Sequence, residues 1–196
     1  MDYTVLRAVS GALRDLLADE FATDPTVNAI VVGSAGIVFS NPTETAQNPA
    51  NRLSLWLYQV TENEFLKNDP PRPSNGLDRL RQPPLPLNLF YLLTPFALDR
   101  EADLLLLGKS MEVLYDNAII LLRDAVSGQT EELRIILCRL TLEELTRIWE
   151  ALREPYRLSV CYQVRVTRID SRREPEVARV VERTAGYGSK PVDLTE

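Results

Sequence analysis

The sequence predicts an α/β (α+β) sandwich: a single mainly antiparallel or mixed sheet with flanking helices, a long proline-rich loop and an extended C-terminal strand and tail. Three observations predict it. Residues 83–96, PPLPLNLFYLLTPF, are a short apolar run closed by prolines at both ends. Residues 156–170, YRLSVCYQVRVTRID, alternate apolar and polar side chains. Residues 3–21 and 99–125 instead place apolar side chains three and four positions apart, the helical period.

In chain order, residues 3–21 read as an amphipathic helix. Val5, Leu6, Val9, Leu13, Leu16 and Leu17 share one side, and Arg7, Arg14, Asp15 and Asp19 the other. Asp2 is placed to cap its start, and Thr23-Asp24-Pro25 ends it in a turn. VNAIVV at 27–32 reads as a strand, followed by a Gly33–Gly36 hairpin turn into a second short strand at 37–39. That glycine turn is not a phosphate loop. It lacks a following Gly-Lys-Ser/Thr, and Pro42 stops any helix behind it. Residues 41–51 read as a polar loop.

Residues 53–64, LSLWLYQVTENE, form the second strong strand, with Leu53, Leu55 and Leu57 on one face and Trp56, Tyr58 and Val60 on the other. Both faces are apolar at its start, so it neighbours the central strand. Residues 65–86 hold six of the thirteen prolines together with Arg72, Arg79 and Arg81. Such a stretch does not build a regular element and reads as an extended arm or binding loop. Its Pro-Pro-Arg-Pro is also a weak polyproline-ligand motif. For residues 83–96, the apolar run by itself also fits a buried helix. The flanking prolines, aromatics and short length select a strand buried on both faces, the centre of the sheet.

Asp99 can cap a helix over 99–125, with Glu101 and Asp103 at its positive end and a stripe of Leu104, Leu107, Met111, Leu114, Tyr115, Ala118 and Leu122. Leu105, Leu106, Ile119 and Leu121 widen that stripe, and Ser127-Gly128 stops it. A short strand at 133–140 follows. Thr141-Leu142-Glu143-Glu144 is a capping box that opens a helix over 142–152. In residues 156–170, Leu158, Val160, Tyr162, Val164 and Val166 face the core, while Ser159, Cys161, Gln163, Arg165 and Thr167 face water or a partner. The organisation expected is one domain over 1–171, including the 65–86 arm, then a tail over 172–196 with an edge-strand candidate at 177–181.

Composition narrows the function. A chain of 196 residues, 45% apolar and 26% charged, is long enough for a substantial core. A net charge of −6 is wrong for a phosphate backbone or an anionic membrane surface, so neither nucleic acid nor membrane is an expected partner. The chain has no histidine. That removes Ser-His-Asp and Cys-His catalysis, histidine general bases and nearly all catalytic metal sites. No catalytic, cofactor or metal residue is therefore expected. Cys138 and Cys161 lie in apolar runs and read as buried free thiols in a reducing compartment. The first residues are charged throughout, without the apolar core of a signal peptide, so the expected place of assembly is the cytoplasm.

Four segments together carry a family resemblance: LSLWLYQVTENEFLKND at 53–69, PPLPLNLFYLLTPF at 83–96, LGKSMEVLYDN at 107–117 and YRLSVCYQVRVTRIDS at 156–171. Their order and spacing resemble the cap, or tube-terminator, proteins of extracellular contractile injection systems, the virulence-cassette and anti-feeding-prophage type. The resemblance spans roughly residues 3–171. It implies a non-enzymatic protein similar in role to phage tail terminators. Such a protein forms a homohexameric ring on the last layer of inner tube and sheath, distal to the baseplate, ends tube growth and anchors the sheath. Its partners would be itself, the tube protein and the sheath protein, within a particle assembled in the cytoplasm. Arg72, Arg79, Arg81, Gln163, Arg165 and the segment carrying Val177, Arg179 and Val181 are the expected contact residues. Two alternatives stand beside it: a cargo-loading adaptor or chaperone of such a particle, and a small enzyme working through Glu62 and Glu64 or Asp99 and Asp103.

Overall fold

The computed structural model describes residues 2–66, 70, 72–73, 80–123, 128 and 130–171. In chain order the elements are α1 (Val5–Thr23), α2 (Pro25–Ile30), β1 (Ile37–Val38), α3 (Pro42–Ala46), β2 (Leu53–Glu62), β3 (Arg72–Pro73), β4 (Leu80–Arg81), β5 (Leu85–Pro95), α4 (Arg100–Asp116), β6 (Ile119–Arg123), β7 (Thr130–Leu137), α5 (Leu142–Leu152) and β8 (Val160–Ile169). The chain divides into two units: residues 1–69 with 84–170, and residues 70–83 with 171–196.

The larger unit is built on one six-stranded mixed sheet in the order β1-β2-β5-β8-β7-β6. Only β1 and β2 run parallel; the other neighbours are antiparallel. The proline-bounded run is thus an inner strand, flanked by β2 and β8. Leu87, Leu89, Tyr91 and Leu93 point from β5 into the main core, where Leu53 and Leu55 of β2 and Val164 of β8 join them. α1 covers this face with Val5, Val9, Leu13, Leu17 and Phe21, the period its sequence shows, and α4 adds Leu106, Val113 and Leu114. A polar tie pins α1 to β5. The hydroxyls of Ser10 and Tyr91 lie 2.8 Å apart inside the core. Ser10 Oγ donates to the Leu6 carbonyl at 2.9 Å, which makes Tyr91 the donor to Ser10. Burial pushes the Tyr91 phenol up to about 12, with the Ser10 bond opposing it.

The capping signals are realised. The side chains of Asp99 and Thr141 accept from the amides of Ala102 (2.8 Å) and Glu144 (3.2 Å), and Glu144 reaches back to the Thr141 amide at 2.8 Å. Asp2 is the exception: the N-cap of α1 is Thr4, without a side-chain cap bond, and Asp2 accepts from the Thr4 amide at 2.9 Å ahead of the helix.

Several expectations are corrected. Residues 27–32 do not form a strand; Asp24 accepts from the amides of Thr26 and Val27, and Pro25 opens the helical turn α2. With no first arm there is no hairpin. Instead a 3-10 turn, Ser34–Gly36, leads into β1, with Gly33 at φ 65°, a conformation glycine adopts without strain. The 41–51 loop contains α3, capped by the Asn41 side chain on the Glu44 amide at 2.9 Å. In the smaller unit, Arg72↔Arg81 and Pro73↔Leu80 pair as a two-residue antiparallel ladder inside the stretch expected to carry no regular element.

The largest correction falls on residues 99–125. α4 stops at Asp116, and Ile119–Arg123 form β6, an edge strand of the main sheet. Asn117 ends the helix, its side-chain amide donating to the Val113 carbonyl at 3.0 Å. The buried face of α4 is Asp103, Leu106, Leu107, Ser110, Val113 and Leu114. Leu104 and Tyr115, expected in the stripe, are exposed. Of the terminal strands, β7 starts three residues earlier than 133, and β8 starts only at Val160.

Candidate functional site

The face of the sheet opposite α1 is split into a closed and an open part. In the closed part Leu92 and Cys161 are buried, and so is Trp149 of α5. The Trp149 indole donates to Ser159 Oγ at 3.3 Å, which fastens α5 beside the start of β8. A bulge at Leu57/Gln59 in β2 accommodates Tyr58, whose hydroxyl lies 3.2 Å from Cys161 Sγ. Burial first, and then the thiol contact, push the Tyr58 phenol far above its ordinary value.

The open part begins where β8 leaves this cover. Gln163 is half-buried opposite Ile136, and Arg165 is exposed opposite Arg134. Next to them is a cleft of about 580 Å³ lined by Asn63, Phe65, Glu131, Arg134, Arg165 and Arg168, among others. Phe65 at its rim is 92% exposed. Arg134 is held by Glu132 at 3.0 Å. Burial raises the Glu131 carboxyl, with Arg168 lowering it and Asp170 raising it further. The cleft is shallow, mixed in charge and apolar at one lip, the composition of a protein contact rim rather than of a substrate pocket.

The sheet also ends asymmetrically. β6 pairs only with β7, so its outer edge carries no partner strand among the described residues. Ile119 and Leu121 of β6 are 56% and 71% exposed, while Ile120 and Leu122 pack against the core. Beside this edge an apolar groove of about 340 Å³ runs between Met111, Leu114 and Tyr115 of α4 and Leu137 and Tyr162 of the sheet. At the far end β1 is two residues long, with Val32 exposed before it and Phe39 after it.

Of the contact residues expected from sequence, the fold brings Gln163 and Arg165 together on the open face. Arg72 and Arg81 are paired in the small ladder of the other unit. Arg79, Val177, Arg179 and Val181 lie outside the described residues. Arg134, Arg168, Phe65 and the β6 edge went unnoticed in the sequence. A signal for the strand, though not for its place at the edge, was there: Asp116-Asn117, then Ala118 and two isoleucines, is a helix stop ahead of strand-forming residues.

The candidate catalytic carboxylates are not assembled into a site. Glu62 and Glu64 are exposed at the end of β2. Asp99 caps α4. Asp103 is buried and accepts from the Ala97 amide (2.8 Å), Arg157 (2.7 Å) and Arg100 (3.3 Å), a structural anchor. Among the described residues no cluster of three Cys, Asp or Glu could hold a metal ion, and no helix is long and apolar enough to cross a membrane.

Comparison with known proteins follows the fold. The chain resembles the sheath/tube terminator of an extracellular contractile injection system, PVC, in its extended state, with a TM-score of 0.57 and 18% identity over 89% of this chain and 63% of that one. It also resembles the anti-feeding prophage cap, the AFP tube-terminating cap, with a TM-score of 0.54 and 20% identity over 85% of this chain and 59% of that one. The chain therefore spans less than two thirds of the length of either protein. Comparison with curated protein sequences gives no match. A sequence model of the Pvc16 N-terminal domain matches residues 8–183. By that match, which covers most of the sequence, the chain belongs to the Pvc16 N-terminal domain family.

Proposed function

We propose that this chain is a structural terminator of a contractile injection particle. It sits as a homohexameric ring on the end of the inner tube and sheath distal to the baseplate, stops tube growth and anchors the sheath. Membership of the Pvc16 N-terminal domain family is the observation that carries this reading, and the fold shared with two terminators supports it. The carboxylates that could have made an enzyme are spent on caps, on an anchor or on solvent.

A ring needs head-to-tail contacts between two different patches of the same chain. The two ends of the sheet are such patches. In this reading the open β6 edge, with Ile119 and Leu121, meets the β1 end of the next copy, where Val32 and Phe39 are exposed. The open face with Gln163 and Arg165, the arginines of the 65–86 arm and the 177–181 segment are then left for tube and sheath. The arm and the edge-strand candidate expected from sequence would suit that task, because an extended segment docks by adding to a neighbour's sheet.

Imaging of assembled particles tests the placement. With a tag on this chain and a gold label on the tag, the label is expected at the one end of each particle remote from the baseplate. Label along the whole length, at the baseplate, or only on free protein would contradict it; the last result would favour a cargo adaptor.

A further inference from the structure

Cys138 and Cys161 are adjacent across two strands. The β7–β8 register runs to Leu137↔Tyr162, so the next opposed pair is Cys138 and Cys161. Their backbones remain bonded there, the Cys138 amide donating to the Cys161 carbonyl at 2.8 Å. Opposed residues of an antiparallel pair have Cα atoms about 4.5–5.5 Å apart, inside the range of about 4.4–6.8 Å that a disulfide needs. Each thiol also shifts the ionisation of the other, lowering that of Cys138 and raising that of Cys161. Both are free, Cys161 buried and Cys138 only half-buried at the end of β7.

We propose that the folded chain carries a disulfide-forming site, Cys138–Cys161, oxidised by small-molecule disulfides such as oxidised glutathione. Cys138 is the reactive member. It is the accessible sulfur, and the neighbouring Cys161 thiol, helped by the charge of Arg165, holds its thiol below the ordinary value against the opposing effect of burial. Its thiolate attacks one sulfur of glutathione disulfide. A protein–glutathione bond forms, the glutathione disulfide bond breaks, and one glutathione leaves as thiolate. Cys161, whose Sγ is 3.2 Å from the Tyr58 hydroxyl, then gives its proton to the departing thiolate. It attacks Cys138 Sγ and expels the second glutathione, which takes the Cys138 proton by way of solvent. One dithiol and one disulfide become one disulfide and two thiols, so electrons and atoms balance.

The bond would close a covalent loop around α5 and its connection to β8. Closing a loop of that size shifts the melting temperature of a domain this large upward by roughly 5–10 °C. On the terminator reading, on which only this last step rests, the chain stays reduced while the particle is built and is clamped once the particle meets an oxidising medium.

The test uses the full chain alone. Reduced protein is incubated folded with excess oxidised glutathione, then alkylated and analysed by intact mass, peptide mapping and thermal melting. The expected result is loss of two hydrogens, a Cys138–Cys161 linked peptide and a higher melting temperature, all reversed by dithiothreitol. Cys161→Ser should stop at a glutathione adduct on Cys138, and Cys138→Ser should stay unmodified. Two alkylated thiols after oxidation, a persistent adduct on Cys138 in the unaltered chain, or a lowered melting temperature would overturn the proposal. None of these outcomes bears on the terminator reading, and failure of that reading would leave the bond in place.

Discussion

Asp103→Ala is expected to lower the unfolding free energy by about 3 kcal/mol, the low end of what breaking a buried ion pair costs. Asp103 is only 6% exposed and holds three donors at once, on α4, on the 96–99 connection and on the strand-leading segment before β8. Arg157 is its shortest partner, at 2.7 Å, and stacks over the Phe96 ring at 4.4 Å from the centroid. Removing the carboxylate leaves the Ala97 amide without its acceptor and the guanidinium half-enclosed without its counter-charge. The Arg157 side chain keeps 24% of its exposure, so water recovers part of the loss. Arg157→Met should cost less, about 1–2 kcal/mol, because Asp103 keeps the Ala97 amide and Arg100. Urea unfolding of both variants checks the order. A cost below about 1 kcal/mol for Asp103→Ala would mean that the cluster is solvated rather than structural.

The second large effect concerns assembly rather than folding. Ile119→Lys combined with Leu121→Lys should weaken association between copies by at least about 100-fold, roughly 2.7 kcal/mol. Both side chains already project outward, so the folded monomer should lose no more than about 0.5 kcal/mol. At an interface the two lysines would have to be desolvated without partners, and a charged edge strand resists pairing. Sedimentation of the purified chain, and recovery of the chain with assembled particles, are the readouts. Unchanged ring formation by a normally folded double variant would remove the β6 edge from the interface.

Much of the fold was legible because the signals were local and of one kind. Prolines at 83, 84 and 95 bracket a run whose only polar groups are Asn88, Thr94 and the Tyr91 hydroxyl, which only an inner strand buries on both faces. The Thr141 box fixes the first turn of α5 through its own atoms. Failures came where two elements share one apolar run. Leu104 to Leu122 satisfies a helical period throughout, because Ala118 and Leu122 continue the spacing of Leu114. Nothing apolar marks the break; Asn117 does, by capping. At 27–32 the β-branched residues favoured a strand, but Asp24 and Pro25 start a helical turn and tertiary packing of Val27 keeps it. The open edge was hidden for a different reason. Whether a strand has a neighbour on both sides depends on the order of the whole sheet, which no single segment encodes. Alternation placed Gln163 and Arg165 on one face correctly but failed for Ser159 and Cys161 of that face, which are buried, and for Leu158, which is exposed; Arg134 and Arg168 join Gln163 and Arg165 only through the pairing of β7 with β8 and the bulge near Leu87.

Tube length in the presence and absence of this chain tests the central claim most directly. Particles are produced with the gene intact, deleted, and restored from a separate copy, and their tubes are measured by negative-stain electron microscopy. A terminator predicts a narrow length distribution with the chain, a broad one with over-long or unsheathed tubes without it, and recovery on restoration. Tubes of the same narrow length, fully sheathed, in the deleted strain would contradict it.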